Sequence, residues 1–220
     1  PTDAVSGAPV ESDASLRVRQ ATSVALPSRT VLEGTVGAVA SLPGVVRYRA
    51  YENDTPYVDN DGLPPHSIPV IADGGDAQAI GTAIALKKTP GTGTHGNTAV
   101  TVEDVYGNPI TIRFFRPPPA VISATITIKP LKGYSSAVGT TIVNAILAYV
   151  NSVPIGGGES RSVEWADAIT AANSVPENWT FRIAALSLTG ATGPGVPDVD
   201  IAFNALPTMS EGDVTLTVVP

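Results

Sequence analysis

The sequence predicts an α+β fold in two small domains, each a mixed or antiparallel sheet with packed helices. Three observations point there. Segments with the apolar spacing of helices alternate with short β-branched runs of period two. The 21 glycines and 20 prolines mark a chain punctuated by turns. A Pro117-Pro118-Pro119 run then divides the 220 residues near their middle. With 43% hydrophobic and 15% charged residues, each half has enough apolar content to bury a core of its own.

Residues 1–10 have the small, polar composition of a linker or frayed end, and the first domain is expected over 11–116. Glu11-Ser12-Asp13 reads as the capped start of a helix that stops before Pro27. A second helix is expected from Thr30 to Ser41, ending at Leu42-Pro43-Gly44. Val45 to Ala50 reads as a half-buried strand with Val46, Tyr48 and Ala50 on one face and Arg47 and Arg49 on the other. After a loop from Asn53 to Pro65, His66 to Ala72 reads as a strand that Pro69 pushes towards a sheet edge, because proline lacks a backbone donor. Asp76 caps a helix through Lys88, with Lys87 and Lys88 at its negative C-terminal end and Thr89-Pro90-Gly91 stopping it. Asn97 to Val105 and Pro109 to Phe115 form a hairpin through Tyr106-Gly107-Asn108.

Residues 117–120 are the expected connector and 121–220 the second domain. A strand runs from Val121 to Lys129, and a helix from Ser135 to Asn151 aligns Val138, Ile142, Ile146, Leu147 and Val150. Gly156-Gly157-Gly158 makes a flexible loop. Val163 to Asn173 is a short helix, Trp179 to Thr189 a strand and Gly190 to Asp198 a Gly/Pro-rich loop; strands at Asp200 to Asn204 and Asp213 to Val219 close the sheet. Leu32 to Asn53 and Glu164 to Leu188 share an order of helix, Pro-containing turn and strand, which suggests a distant internal duplication.

The composition narrows the function. A net charge of −7, with basic residues only in small sets (Arg17/Arg19, Arg47/Arg49, Lys87/Lys88, Arg113/Arg116), argues against nucleic-acid binding and reads as solvated faces. The absence of cysteine excludes disulfides, thiolate chemistry and zinc fingers. No apolar run is long enough to span a bilayer and the N-terminus carries no signal pattern, so a soluble fold without a membrane partner is expected. Starting at Pro1, the chain reads as a processed or excised piece of a longer protein.

Several stretches imitate chemistry. Gly91-Thr92-Gly93-Thr94-His95-Gly96-Asn97-Thr98 has P-loop glycine spacing, but Asn97 stands where the lysine belongs and a helix precedes the loop instead of following it. Asp54, Asp59 and Asp61 suggest a cation loop; aligning Gly62 on the calcium-loop glycine puts Tyr57 and Ile68 at ligand positions, so Asx-turns are the better reading. His66 and His95, the only imidazoles, lack supporting ligands and read as polar loop residues. No nucleophile elbow is present, and no motif calls for a cofactor. Trp165 and Trp179 read as core packing in preference to a sugar-stacking platform. The sequons at Asn53 and Asn178 are chance patterns.

The longest run of distinctive residues is Tyr51-Glu52-Asn53-Asp54 through Asp61-Gly62-Leu63-Pro64-Pro65-His66-Ser67-Ile68 to Gly74-Gly75-Asp76. Before it stand Glu11-Ser12-Asp13, Leu16-Arg17-Val18-Arg19 and Leu42-Pro43-Gly44-Val45; after it come Ala79-Ile80, Lys87-Lys88-Thr89-Pro90-Gly91 and Gly96-Asn97-Thr98. In order and spacing these residues resemble the baseplate J-like family, wedge components of contractile phage tails. The match is specific to about Phe115 and looser beyond Pro119, and Pro69 departs from a strand expected to be more regular in relatives. The resemblance implies that the family's N-terminal portion is missing here.

It further implies a structural, non-enzymatic role: a subunit of the virion's tail baseplate, assembled in the bacterial cytoplasm. Its partners would be other wedge and hub proteins, with self-association in the baseplate and transmission of the contraction trigger. The contact residues would lie in the Asn53 to Pro65 and Gly91 to Asn97 loops: Asp54, Tyr57, Asp59, Asp61, Leu63, His66, His95 and Asn97. A host-surface or carbohydrate-binding tail module is the alternative, and a tail-associated hydrolase a more distant one.

Overall fold

The structure, a computed structural model, describes residues 30–104 and 106–220. The linker over 1–10, the helix expected before Pro27 and the Arg17/Arg19 pair lie outside the described residues. The fold is α+β, and the chain divides into two compact units that part between Phe114 and Phe115.

The first unit opens with α1 (Val31–Ala40), started by a reciprocal cap: Thr30 Oγ1 accepts from the Glu33 amide at 3.1 Å, and Glu33 Oε2 accepts from the Thr30 amide at 3.2 Å. Strands β1 (Val45–Ala50) and β2 (Ser67–Gly74) pair antiparallel, and β3 (Gly93–His95) adds to β2 in parallel. Between β2 and β3 lies α2 (Ala77–Lys87), where Asp76 caps the helix by accepting from the Ala79 amide at 2.8 Å. A hairpin of β4 (Thr98–Glu103) and β5 (Pro109–Phe114) completes the unit. Val39, Val70, Ala72, Ile80, Ile84, Val102, Ile112 and Phe114 form its core. Gly74 is obligatory on two counts: its φ of +77° favours glycine, and a Cβ there would strike the carbonyl oxygen of Gly44.

Two expectations for this unit are corrected. Pro69 sits in the central strand of the sheet, not at its edge. Its carbonyl accepts from the Tyr51 amide at 3.1 Å, so the missing Pro69 N–H falls on the β1 side, where the ladder simply lacks one bond. The faces of β1 also differ from an apolar-in, polar-out strand. Val46 and Tyr48 are exposed, while Arg47 and Arg49 are half-buried because each finds a partner: Arg47 Nε lies 3.2 Å from Asp73 Oδ2, and the Arg49 guanidinium stacks 5.0 Å from the Tyr51 ring centre.

The second unit is built on a four-stranded mixed sheet. Strand β6 (Pro119–Val121) draws the end of the proline run into regular structure, and β7 (Ser123–Pro130) follows. Helix α3 (Ser136–Ser152) buries Val138, Ile142, Ile146 and Val150, with Leu147 partly buried beside them. After β8 (Ser162–Val163), helix α4 (Trp165–Asn173) leads into β9 (Phe181–Gly190), which turns back as β10 (Gly193–Pro194). Then come β11 (Val199–Asp200), β12 (Leu206–Thr208) and β13 (Val214–Val218). The sheet order is β10-β9-β7-β13, with β13 parallel to β7 and β9 antiparallel to it. The pairs β6–β12 and β8–β11 flank it.

The strand expected at Asp200 to Asn204 is therefore replaced by the shorter β11 and β12. Of the two tryptophans only Trp165 packs on the core; Trp179 lies in a 3-10 turn before β9 with 67% of its surface exposed.

Candidate functional site

The most elaborately built surface feature is the loop between β1 and β2, which contains most of the residues singled out above. Asn53 organises it. Only 3% exposed, it exchanges backbone hydrogen bonds with Ser67: its amide donates to the Ser67 carbonyl at 2.9 Å and its carbonyl accepts from the Ser67 amide at 3.1 Å. That pairing aims its side chain into the loop. Asn53 Nδ2 donates to the carbonyls of Tyr57 and Leu63, both at 2.8 Å, and reaches the Pro64 carbonyl at 3.1 Å. Its Oδ1 accepts from the Thr55 amide and hydroxyl at 3.1 and 2.7 Å. One buried amide thus replaces the missing ladder bonds across ten residues of irregular chain. Sequence reasoning passed over Asn53 as a chance sequon; an Asn at a strand end followed by Asp-Thr-Pro was the available sign of an Asx motif.

A second turn is nested inside. Asp59 Oδ1 accepts from the amides of Asp61 and Leu63 at 2.9 and 2.8 Å, while the Asp59 amide donates to the Leu63 carbonyl at 3.2 Å. Asp59 is thus a turn former, as the Asx-turn reading expected. Leu63, 1% exposed, is the apolar anchor pinning the loop to the protein. Its place among the contact residues is corrected: its side chain is inside and has no surface to offer.

Asp54 and His66 are exposed, and Asp61 is half-buried. Tyr57 and its neighbour Val58 are the displayed apolar groups, 76% and 63% exposed. The second predicted loop lies against the first. His66, with a φ of +50°, offers its carbonyl to the Gly93 amide at 2.9 Å, and β3 then runs beside β2 with Gly93 opposite Ser67 and His95 opposite Pro69. His95 is half-buried; Asn97 is exposed, its side-chain oxygen accepting from the Thr98 hydroxyl at 3.2 Å. The Gly91 loop borders a cavity of about 400 Å³ lined by Lys88, Thr94 and Arg113 among others. Helix α2 precedes this loop and β4 follows it, so no helix N-terminus faces the glycines.

Elsewhere a cleft of about 410 Å³ in the second unit is lined by Ser160, Ser162, Glu164, Asp198 and Asp200. Asp198 is engaged there as a helix cap, its Oδ1 accepting from the Trp165 amide at 2.7 Å. Behind it the Tyr149 hydroxyl both donates to the Glu164 carbonyl and accepts from the Glu164 amide, each at 3.0 Å. Burial, with the charges of Asp167, Glu164 and Asp198, pushes the Tyr149 phenol up to about 12, so it stays protonated. Among the described residues no group of three or more His, Cys, Asp or Glu side chains is placed to hold a metal ion, and no helix is long and apolar enough to cross a membrane.

Comparison of the whole sequence finds no matching family model and no matching curated protein.

Proposed function

We propose that this chain is a structural, non-enzymatic component of a contractile phage tail baseplate wedge, binding neighbouring wedge and hub subunits and passing the contraction trigger between them. The observation that carries the reading is the division of labour within the motif. Asn53, Asp59, Leu63 and Ser67 are spent on building the β1–β2 loop, and its hydrogen-bonded path leaves Tyr57 and Val58 exposed, with Asp54 exposed in the same loop. Preorganising a loop lowers the ordering cost of association, and an exposed aromatic beside an aliphatic group is the chemistry of a protein contact. Beside this loop the His66 carbonyl accepts from the Gly93 amide, and His66 and Asn97 are both exposed.

The test is light scattering of the chain mixed with the product of the adjacent tail gene. A complex that Tyr57→Ala with Val58→Asp abolishes, with the fold unchanged by circular dichroism, supports the reading. No complex, or one indifferent to these changes together with normal particle assembly, overturns it. One observation favours a carbohydrate-binding tail module as the second reading: Trp179 is exposed. A glycan array with wild type and Trp179→Ala decides it.

A further inference from the structure

A sheet edge presents unpaired N–H and C=O groups, and proteins normally blunt it. The four-stranded sheet has one blunted edge. Along β9 the Trp165 indole donates to the Leu186 carbonyl at 2.7 Å, the Gly195 amide donates to the Leu188 carbonyl at 2.9 Å, and β10 pairs with its end. The other edge is β13, and among the described residues nothing pairs with its outer side. The Val219 amide donates inward to Ile128 at 2.9 Å, so by strand alternation the backbone groups of Val214, Leu216 and Val218 face outward. Glu211 takes the Val214 amide through its carbonyl. The amides of Leu216 and Val218 and the carbonyls of all three remain presented.

Nothing in the strand discourages pairing. Val214-Thr215-Leu216-Thr217-Val218 holds no charge and no proline, and it reads identically in both directions. Antiparallel pairing with a second copy about a two-fold axis at Leu216 therefore sets Leu216 opposite Leu216, Val214 opposite Val218 and Thr215 opposite Thr217. These are favourable cross-strand pairs, and the outward groups fall in hydrogen-bonding register. The ends match as well. Glu211 and Asp213 precede β13, while exposed Lys129 and Lys132 follow Ile128, the residue opposite Val218. The two-fold brings the acidic end of one copy to the basic end of the other, whereas a parallel arrangement sets like on like. Beside the edge, α3 carries no charged residue in its 17 positions and borders a groove of about 480 Å³ lined by Tyr134, Val143, Leu216 and Val218 among others.

We propose that β13 is a homodimerisation edge: two copies of this chain join their sheets antiparallel across Leu216, with the uncharged faces of α3 meeting over the seam. The proposal does not depend on the baseplate reading.

The test uses the 220-residue chain in sedimentation equilibrium from micromolar to hundreds of micromolar. The expected result is a dimer that Val218→Pro abolishes, since this change removes an outward donor while leaving the bonds to β7 in place. Circular dichroism checks that the variant folds. Because the chain has no cysteine, Thr215→Cys with Thr217→Cys adds a direct reporter. The pair 215/217 is a non-hydrogen-bonded one, with Cα atoms about 4.5 Å apart, within disulfide reach, so mild oxidation should yield a covalent dimer on a non-reducing gel. A monomer at every concentration, or a dimer that survives Val218→Pro and does not cross-link, overturns the proposal. Either result leaves binding at the Asn53 loop as a separate question.

Discussion

The side-chain amide of Asn53 donates to the carbonyl of Leu63 at 2.8 Å, across ten residues of chain with no regular structure. The bond joins the two ends of the loop through one buried group, and the same amide also holds Tyr57 and Pro64. Rigidity in this loop thus comes from polar satisfaction as much as from packing. A buried amide with all its partners is worth keeping, because deleting it removes five hydrogen bonds at once and leaves the Tyr57, Leu63 and Pro64 carbonyls with only the Thr55 hydroxyl, the Asp59 amide and the Ser67 hydroxyl as donors.

Asn53→Ala is accordingly expected to destabilise the protein by about 2–4 kcal/mol, as read by urea denaturation. Asp54→Ala, one residue on but exposed, should stay within about 0.5 kcal/mol. Equal effects at the two positions would mean that the amide network does not hold the loop.

Much of the fold was legible in the sequence, and the failures have physical causes. Caps and breakers placed α1 and α2 closely: Thr30, Asp76 and Thr89-Pro90-Gly91 act locally, so local reading finds them. The β4–β5 hairpin was equally visible, its turn fixed by Asp104, whose Oδ1 accepts from the amides of Tyr106 and Asn108, both at 2.8 Å. Pro69 was misjudged because its missing donor matters only on one side of the strand, which periodicity does not reveal. Val46 and Tyr48 were misjudged because the half-buried face of β1 is the one that carries Val45, Arg47 and Arg49, whose guanidinium groups find partners there. The candidate contact loops were found from their residue types, but the sequence gives no sign that Leu63 points inward and Tyr57 outward. That distinction follows from the Asn53 and Asp59 turns, which set the path of the chain.

Leu63 is expected to behave as core. Leu63→Ala should cost about 2–4 kcal/mol through lost burial and the cavity left behind. Thermal unfolding would register a clear fall in Tm, whereas Tyr57→Ala should leave Tm nearly unchanged. A neutral Leu63→Ala would return this residue to the contact surface.

The two tryptophans should separate cleanly. Trp165 is partly buried against the core and its Nε1 donates to Leu186. Trp165→Phe keeps one aromatic ring but loses the pyrrole part of the indole with its donor, for an expected cost of about 1–2 kcal/mol. Trp179→Ala, at an exposed turn, should stay within about 0.5 kcal/mol. Fluorescence provides the check on the same proteins: the Trp179→Ala variant retains only the shielded indole, so its emission should shift to the blue and resist acrylamide quenching, and Trp165→Phe should show the reverse.

Acid sensitivity has two identifiable sources at the surface. The Asn108 amide, followed by that of Tyr106, holds the Asp104 carboxyl below its ordinary value of 3.8. The Ser210 hydroxyl and amide do the same for Asp213, whose Oδ2 accepts from them at 2.6 and 2.8 Å. For a carboxyl depressed in the folded state, the stabilisation is fully present above the unfolded value and is lost as pH falls through the folded one. Stability should therefore decline below about pH 4 from these groups, while neither contributes a slope at neutral pH. Asp104→Asn and Asp213→Asn leave an uncharged acceptor in place, so each should lower stability slightly at pH 7 and narrow its gap to wild type at pH 3. Urea midpoints at the two pH values measure the gap. A gap that widens in acid would show that the folded protein favours the protonated carboxyls, the opposite of what the amide donors at these turns require.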